Sequence, residues 1–187
     1  PSPDLFDQSV RHTRNGKGGV EPLCHNDRPI HFNHAERSPT PVARIALVHQ
    51  AASDALLGAQ DHVVCANENL GADFSAEIAV ITTDVPMGVG PEQALDCIAL
   101  VVLLNDVSLR NLIPAELSRG FGFYQSKPAT SFAPIAVTPA ALGDAWRGAM
   151  LQLPVQVSIN GQWFGSPHAG EETVFHFGQV LAHLART

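Results

Sequence analysis

Ile98-Ala99-Leu100-Val101-Val102-Leu103-Leu104 is an unbroken apolar run, rich in Val and Leu, that stops at Asn105-Asp106. A run of this length and composition reads as a buried strand, and the rest of the fold has to be built around it. Its end is equally informative. A carboxylate closes it, and Arg110 and Lys127 follow in the next segments. Charges at the rim of a core are costly unless they are paired or bound to a metal. A ligand site is the reading that explains them.

Other apolar runs are shorter: Ile45–Val48, Val63–Ala66, Ile78–Ile81, Ile135–Val137 and Val155–Ile159, each flanked by Gly, Pro, Asp or Asn. That punctuation belongs to a β-rich domain. Over Ala76 to Thr82 the alternation puts Glu77, Ala79 and Ile81 on one strand face. Helix signals are fewer. Thr138 before Pro139 is an N-cap with Pro at the first helical position, Pro91 to Asp96 predicts a short helix, and Gly178 to Arg186 places Val180, Leu181 and Leu184 at helical spacing. The fold class expected is mixed β (α+β), packed mixed sheets with a few short helices.

With 187 residues, 45% of them hydrophobic, the chain can bury one substantial core. Residues 1–41 are rich in Pro, Gly, Asn, His and charge and read as a flexible N-terminal arm or a partial subdomain. The linker is expected near Ser38-Pro39-Thr40-Pro41, with the folded domain over 42–187. Eleven basic residues against eighteen acidic ones give a net charge of −7, and no Lys/Arg cluster offers a phosphate-binding stripe. That argues against a nucleic-acid partner. No apolar stretch is long enough to span a membrane. Three widely spaced cysteines, Cys24, Cys65 and Cys97, suit reduced thiols in a cytoplasmic protein better than a disulfide framework.

Asn105-Asp106-Val107-Ser108-Leu109-Arg110 resembles the Asn-Asp-x-Ser-x-Arg motif of the fumarylacetoacetate hydrolase family. Upstream, Asp73 to Ile81 resembles the family's first metal-binding strand. Downstream, Gly122 to Thr130 resembles its substrate-lysine segment, and Val157 to Gly161 a following strand and turn. The resemblance covers about Asp61 to Thr187. It implies a β-roll of packed mixed sheets and a homodimer. It also implies a metal-dependent hydrolase that cleaves a C–C bond in a β-diketo or 2-keto acid, such as an acylpyruvate, through a metal-bound enolate.

The same resemblance assigns roles. Glu77 and Asp106 match two metal ligands for Mg²⁺, Ca²⁺ or Mn²⁺, with Ser75 standing where the family has a further Glu. Residues two apart on a strand share a face, which is why the ligands have that spacing. Hard cations prefer such oxygen donors. Arg110 and Lys127 match the substrate-binding cations, and fixed positive charge next to a developing enolate lowers its barrier. His34 with Glu36 resembles the water-activating pair; with Lys127 they complete the expected catalytic set. His49 reads as structural, and His176 and His183 as packing residues.

Two departures open an alternative. Ser75 removes one charge from the metal site, so cation binding is expected to be weak or absent, and Ile113 stands where the family often has Gln. A catalytically silent member retained for binding or assembly is therefore the second reading. The family also continues past a terminal helix into a Gly-rich strand. This chain ends at Thr187, which leaves either a longer protein or a pocket without that strand.

Overall fold

The computed structural model describes residues 7–10, 48–49, 56–120, 123–171 and 173–186. Along the chain the strands are β1 (Asp7–Val10), β2 (Leu56–Leu57), β3 (Ala72–Asp73), β4 (Ala76–Thr82), β5 (Ile98–Asn105), β6 (Ser108–Leu109), β7 (Thr130–Val137), β8 (Trp146–Arg147), β9 (Met150–Leu151), β10 (Gln156–Ile159) and β11 (Gln162–Gly165). The helices are short: α1 (Pro91–Ala94), α2 (Ile113–Leu117), α3 (Pro139–Leu142) and α4 (Phe177–Leu184). The architecture is mixed α+β, as the sequence predicts.

The apolar run forms β5, an interior strand of a four-stranded sheet in the order β2-β7-β5-β4. It pairs antiparallel with β4 and with β7, while β2 joins β7 in parallel. On one face Val101 and Leu103 enter a core with Leu142 of α3, Leu151 of β9, and Val155 and Val157 around β10. Ala76, Ile78 and Val80 of β4 pack on that same core. Val102 and Leu104, on the other face, are buried as well. Each such side chain contributes about 1.5–3 kcal/mol by leaving water. Glu77, Ala79 and Ile81 are thereby turned away from the main core, as the alternation requires.

A second sheet runs β1-β10-β11, with β1 parallel to β10. Residues 7–10 therefore form a strand within a segment whose composition gave no strand signal. Asn160 and Gly161, at φ 54° and 77°, make the tight turn between β10 and β11, the hairpin geometry that Asn-Gly favours. Thr138 caps α3 by accepting a hydrogen bond from Ala141 N–H at 3.2 Å.

Two sequence readings need correction, and one lies almost wholly outside the described residues. Val63–Ala66 is irregular, and Val64 is 84% exposed; a strand needs a ladder partner, and this run finds none among the described residues. Ile45–Val48 lies outside the described residues except for Val48, which is in no strand. His176 is the N-cap of α4. Its ring accepts from Gln179 N–H at 3.4 Å, while Gln179 Oε1 accepts from His176 N–H at 3.0 Å.

Helix α4 lies against α1 at Gly178, where an added Cβ would stand 2.3 Å from the Pro91 carbonyl oxygen and 2.8 Å from Leu95. In an open helix Gly→Ala stabilises by up to ~1 kcal/mol. Here the clash with backbone reverses the sign. Gly178→Ala should cost about 1–3 kcal/mol in urea denaturation, and a stabilised variant would contradict this packing.

Candidate active site

The site forms where β4 and β5 reach their ends. Asp106 N–H donates to the Ser75 carbonyl at 2.9 Å, extending the ladder one residue beyond Ala76 opposite Asn105. Ser75 N–H donates to the Asn105 side-chain oxygen at 3.3 Å, pinning the same corner. Beyond the break, β3 pairs antiparallel with β6, Asp73 opposite Ser108. Ser75, Glu77, Leu104 and Asp106 therefore share one face. Glu77 and Asp106 become diagonal neighbours there, within reach of a common ligand.

Lys127 comes to this face from the loop before β7. Its ammonium donates to Asp106 Oδ2 at 2.6 Å, with both side chains buried. Thr130, the first residue of β7, donates its hydroxyl to the other oxygen, Oδ1, at 3.3 Å. Neither charge would be tolerable here alone. Arg110 approaches from the far end of β6, and its Nε donates to Asp73 Oδ2 at 2.9 Å.

Glu77 reports the field of this cluster. Burial, and next the Asp106 charge, push its carboxyl up to about 7, against the opposing pull of Lys127 and Arg110. Three charged groups thus act on Glu77. Ser108, on the intervening β6, is buried and its hydroxyl has no hydrogen-bond partner among the described residues.

Glu77, Asp106, Lys127 and Arg110, singled out in the sequence, are brought together, with Ser75 beside them. His34 and Glu36 lie outside the described residues. His49, read as structural, lies within the electrostatic reach of Lys127 and Asp106. Burial and then the Lys127 charge lower its pKa, with Asp106 pulling the other way. Its ring meets Phe123 edge-on at 4.7 Å between centroids. A His beside an apolar run carries no local signal of what it faces.

Two carboxylates and a hydroxyl form an oxygen donor set of the kind a hard divalent cation takes, and a cation there would offset both the burial of the Glu77 charge and the repulsion from Asp106. The set is minimal: among the described residues, no group of three or more His, Cys, Asp or Glu gathers to hold an ion.

The family model described as the fumarylacetoacetate (FAA) hydrolase C-terminal domain matches residues 21–187. The chain belongs to the fumarylacetoacetate hydrolase family. It is 25% identical over 156 residues to a 2,4-didehydro-3-deoxy-L-rhamnonate hydrolase from Sphingomonas sp. (strain SKA58), an alignment covering 82% of this chain. The chain spans about half, 52%, of that relative's length. Among solved structures it resembles fumarylpyruvate hydrolase from Pseudomonas aeruginosa in complex with Mn²⁺ and pyruvate (TM-score 0.53, 12% identity, 70% of this chain and 52% of that one). It also resembles a yeast fumarylacetoacetate hydrolase family protein (TM-score 0.51, 20% identity, 62% of this chain and 49% of that one). These likenesses establish the fumarylacetoacetate hydrolase fold.

The Glu77 carboxyl gives a pH test. Its folded value of about 7 lies above its ordinary 4.5, so the folded state holds the proton more tightly than the unfolded chain. The stability this provides is full below about pH 4.5 and is lost as pH rises through about 7. Glu77→Gln removes that loss. In EDTA the variant should exceed wild type by roughly 2–3 kcal/mol at about pH 8 and match it near pH 4.5 in urea denaturation. Equal stabilities at both pH values would contradict the burial of Glu77 beside Asp106.

Proposed function

We propose that this family member hydrolyses a C–C bond in a 2,4-dioxo acid. The observation that carries the reading is the convergence of Glu77, Asp106 and Lys127 on one face, with Arg110 near enough to act on Glu77. The names of the rhamnonate-derived relative and of fumarylpyruvate hydrolase both denote such acids, and the latter structure holds Mn²⁺ and pyruvate. In the reaction water adds to the C4 carbonyl and the C3–C4 bond breaks. The products are a carboxylic acid and, after protonation at C3, a pyruvate.

Glu77 and Asp106, with Ser75 alongside, would hold a divalent cation. When bound, that ion supplies Lewis-acid stabilisation of oxygen charge. The chain's own residues account for the remainder. Lys127 and Arg110 bind the substrate's anionic groups and face the negative charge that appears as the bond breaks. His49 has a lowered pKa and so is uncharged at neutral pH, able to take a proton from water; the resemblance implies His34 with Glu36 for the same step. The cation is Mg²⁺ or Mn²⁺, the partner a small keto acid rather than nucleic acid or membrane, and the assembly a homodimer. No helix among the described residues is long and apolar enough to cross a membrane, and a cytoplasmic location suits this chemistry.

Ser75 in a ligand position favours a second reading, a silent member kept for binding. The two part on one experiment. With Mg²⁺ or Mn²⁺, a panel of acylpyruvates and 2,4-dioxo sugar acids should yield pyruvate at a rate abolished by EDTA. Lys127→Met and Asp106→Ala should each lower kcat/KM about 10²-fold or more, the cost of losing one stabilising group. Folded wild type that turns over no member of the panel contradicts the hydrolase reading. Binding of Mn²⁺ only after Ser75→Glu would then support the silent one.

A further inference from the structure

Glu116, in α2, lies in sequence between Arg110 and Lys127. Its two carboxylate oxygens take four hydrogen bonds from the turn that leads into Lys127. Oε1 accepts from Gln125 N–H at 2.6 Å, and Oε2 accepts from Tyr124 N–H at 3.1 Å, from Ser126 N–H at 3.3 Å and from the Ser126 hydroxyl at 2.5 Å. Three successive backbone N–H groups turned to one side form the concavity that ordinarily captures an anion. Here the chain supplies the anion itself. On its other side the turn is tied to β6, whose Leu109 N–H donates to the Ser126 carbonyl at 2.8 Å. Ser126 is fully buried, and the next residue is the lysine that reaches Asp106.

We propose that Glu116 is a positioning residue for Lys127: its carboxylate latches the Tyr124–Ser126 turn to α2, so that the following ammonium is delivered to Asp106 rather than to solvent. A lysine side chain loses much conformational freedom when it is fixed, and a turn held from only one side would let it swing out. The Ser126 hydroxyl bond comes first among the causes that lower the Glu116 pKa; burial opposes it and ranks second, and the three backbone bonds add to the lowering. The latch is accordingly anionic at neutral pH, where charge-assisted bonds are strongest. Its catalytic consequence rests on the reading of Lys127 as the cation that faces substrate; its structural consequence does not.

The composition provides an internal control, because the chain carries just two lysines, Lys17 and Lys127. Full-length protein is acylated with limiting acetic anhydride, and peptide mass spectrometry gives the ratio of Lys127 to Lys17 modification. Glu116→Gln keeps the shape and removes the charge; it should raise that ratio about tenfold, the change expected when a local opening becomes easier while the global fold is kept. Hydrogen exchange should quicken over residues 123–127 and stay unchanged in β5. On any dioxo acid that wild type turns over, kcat should fall about tenfold with KM within about twofold, a split that mere loosening of the fold would not give. Ser126→Ala, which removes only the hydroxyl bond, should move the labelling ratio in the same direction by less, and it serves if Glu116→Gln unfolds. An unchanged ratio in both variants overturns the proposal. Raised labelling without any wild-type turnover upholds the latch and counts only against the proposed reaction.

Discussion

The ion pair between Lys127 and Asp106, 2.6 Å long and buried on both sides, is the interaction on which the rest of the site depends. Two opposite charges withdrawn from water stabilise a fold little in net terms, yet each makes the other tolerable. Their value is in register. Asp106 directly follows the central strand and Lys127 stands just ahead of β7, so the pair adds a side-chain tie between two pieces of chain just beyond their paired residues Asn105 and Ser131. Thr130 fills the second carboxylate oxygen from β7 itself. The corner where β4, β5 and β7 meet is thereby held by side chains as well as by backbone.

Around this pair the acidic residues divide their work. Glu77 and Asp106 share one face, and burial first, then the Asp106 charge, raises the pKa of Glu77. Asp73 and Glu116 act one layer out. Asp73 orients the Arg110 guanidinium, and Glu116 holds the backbone ahead of Lys127. In the proposed reading, a chain with an excess of acidic side chains uses two carboxylates to bind a cation and two to aim its few basic groups. Ser75 and Ser108 lie at the same corner, one opposite Asp106 and the other a buried hydroxyl without a partner among the described residues.

Much of this was legible in the residues. The run Ile98–Leu104 could only be a strand covered on both faces, and the alternation through Ala76–Thr82 fixed which way Glu77 points. Thr138-Pro139 and Asn160-Gly161 carry their cap and turn chemistry locally, and both form as read. Val63–Ala66 misled because apolar character shows a wish for burial and not the presence of a neighbouring strand. The two-residue ladders β3–β6 and β8–β9 are too short to leave a period in the sequence. His49 and Glu116 were invisible for a related reason. Each acts through space on residues that are not its sequence neighbours, eight to ten positions away for Glu116, and nothing adjacent to it in sequence announces the contact.

The most direct test of this account is a double-mutant cycle on Asp106 and Lys127 by urea denaturation. Asp106→Asn and Lys127→Met should each cost about 3–5 kcal/mol, because each leaves the other charge buried and unpaired. The double variant should cost at least ~2 kcal/mol less than their sum. Costs that add within about 0.5 kcal/mol would mean that the two residues do not meet, and the site built on them would not exist.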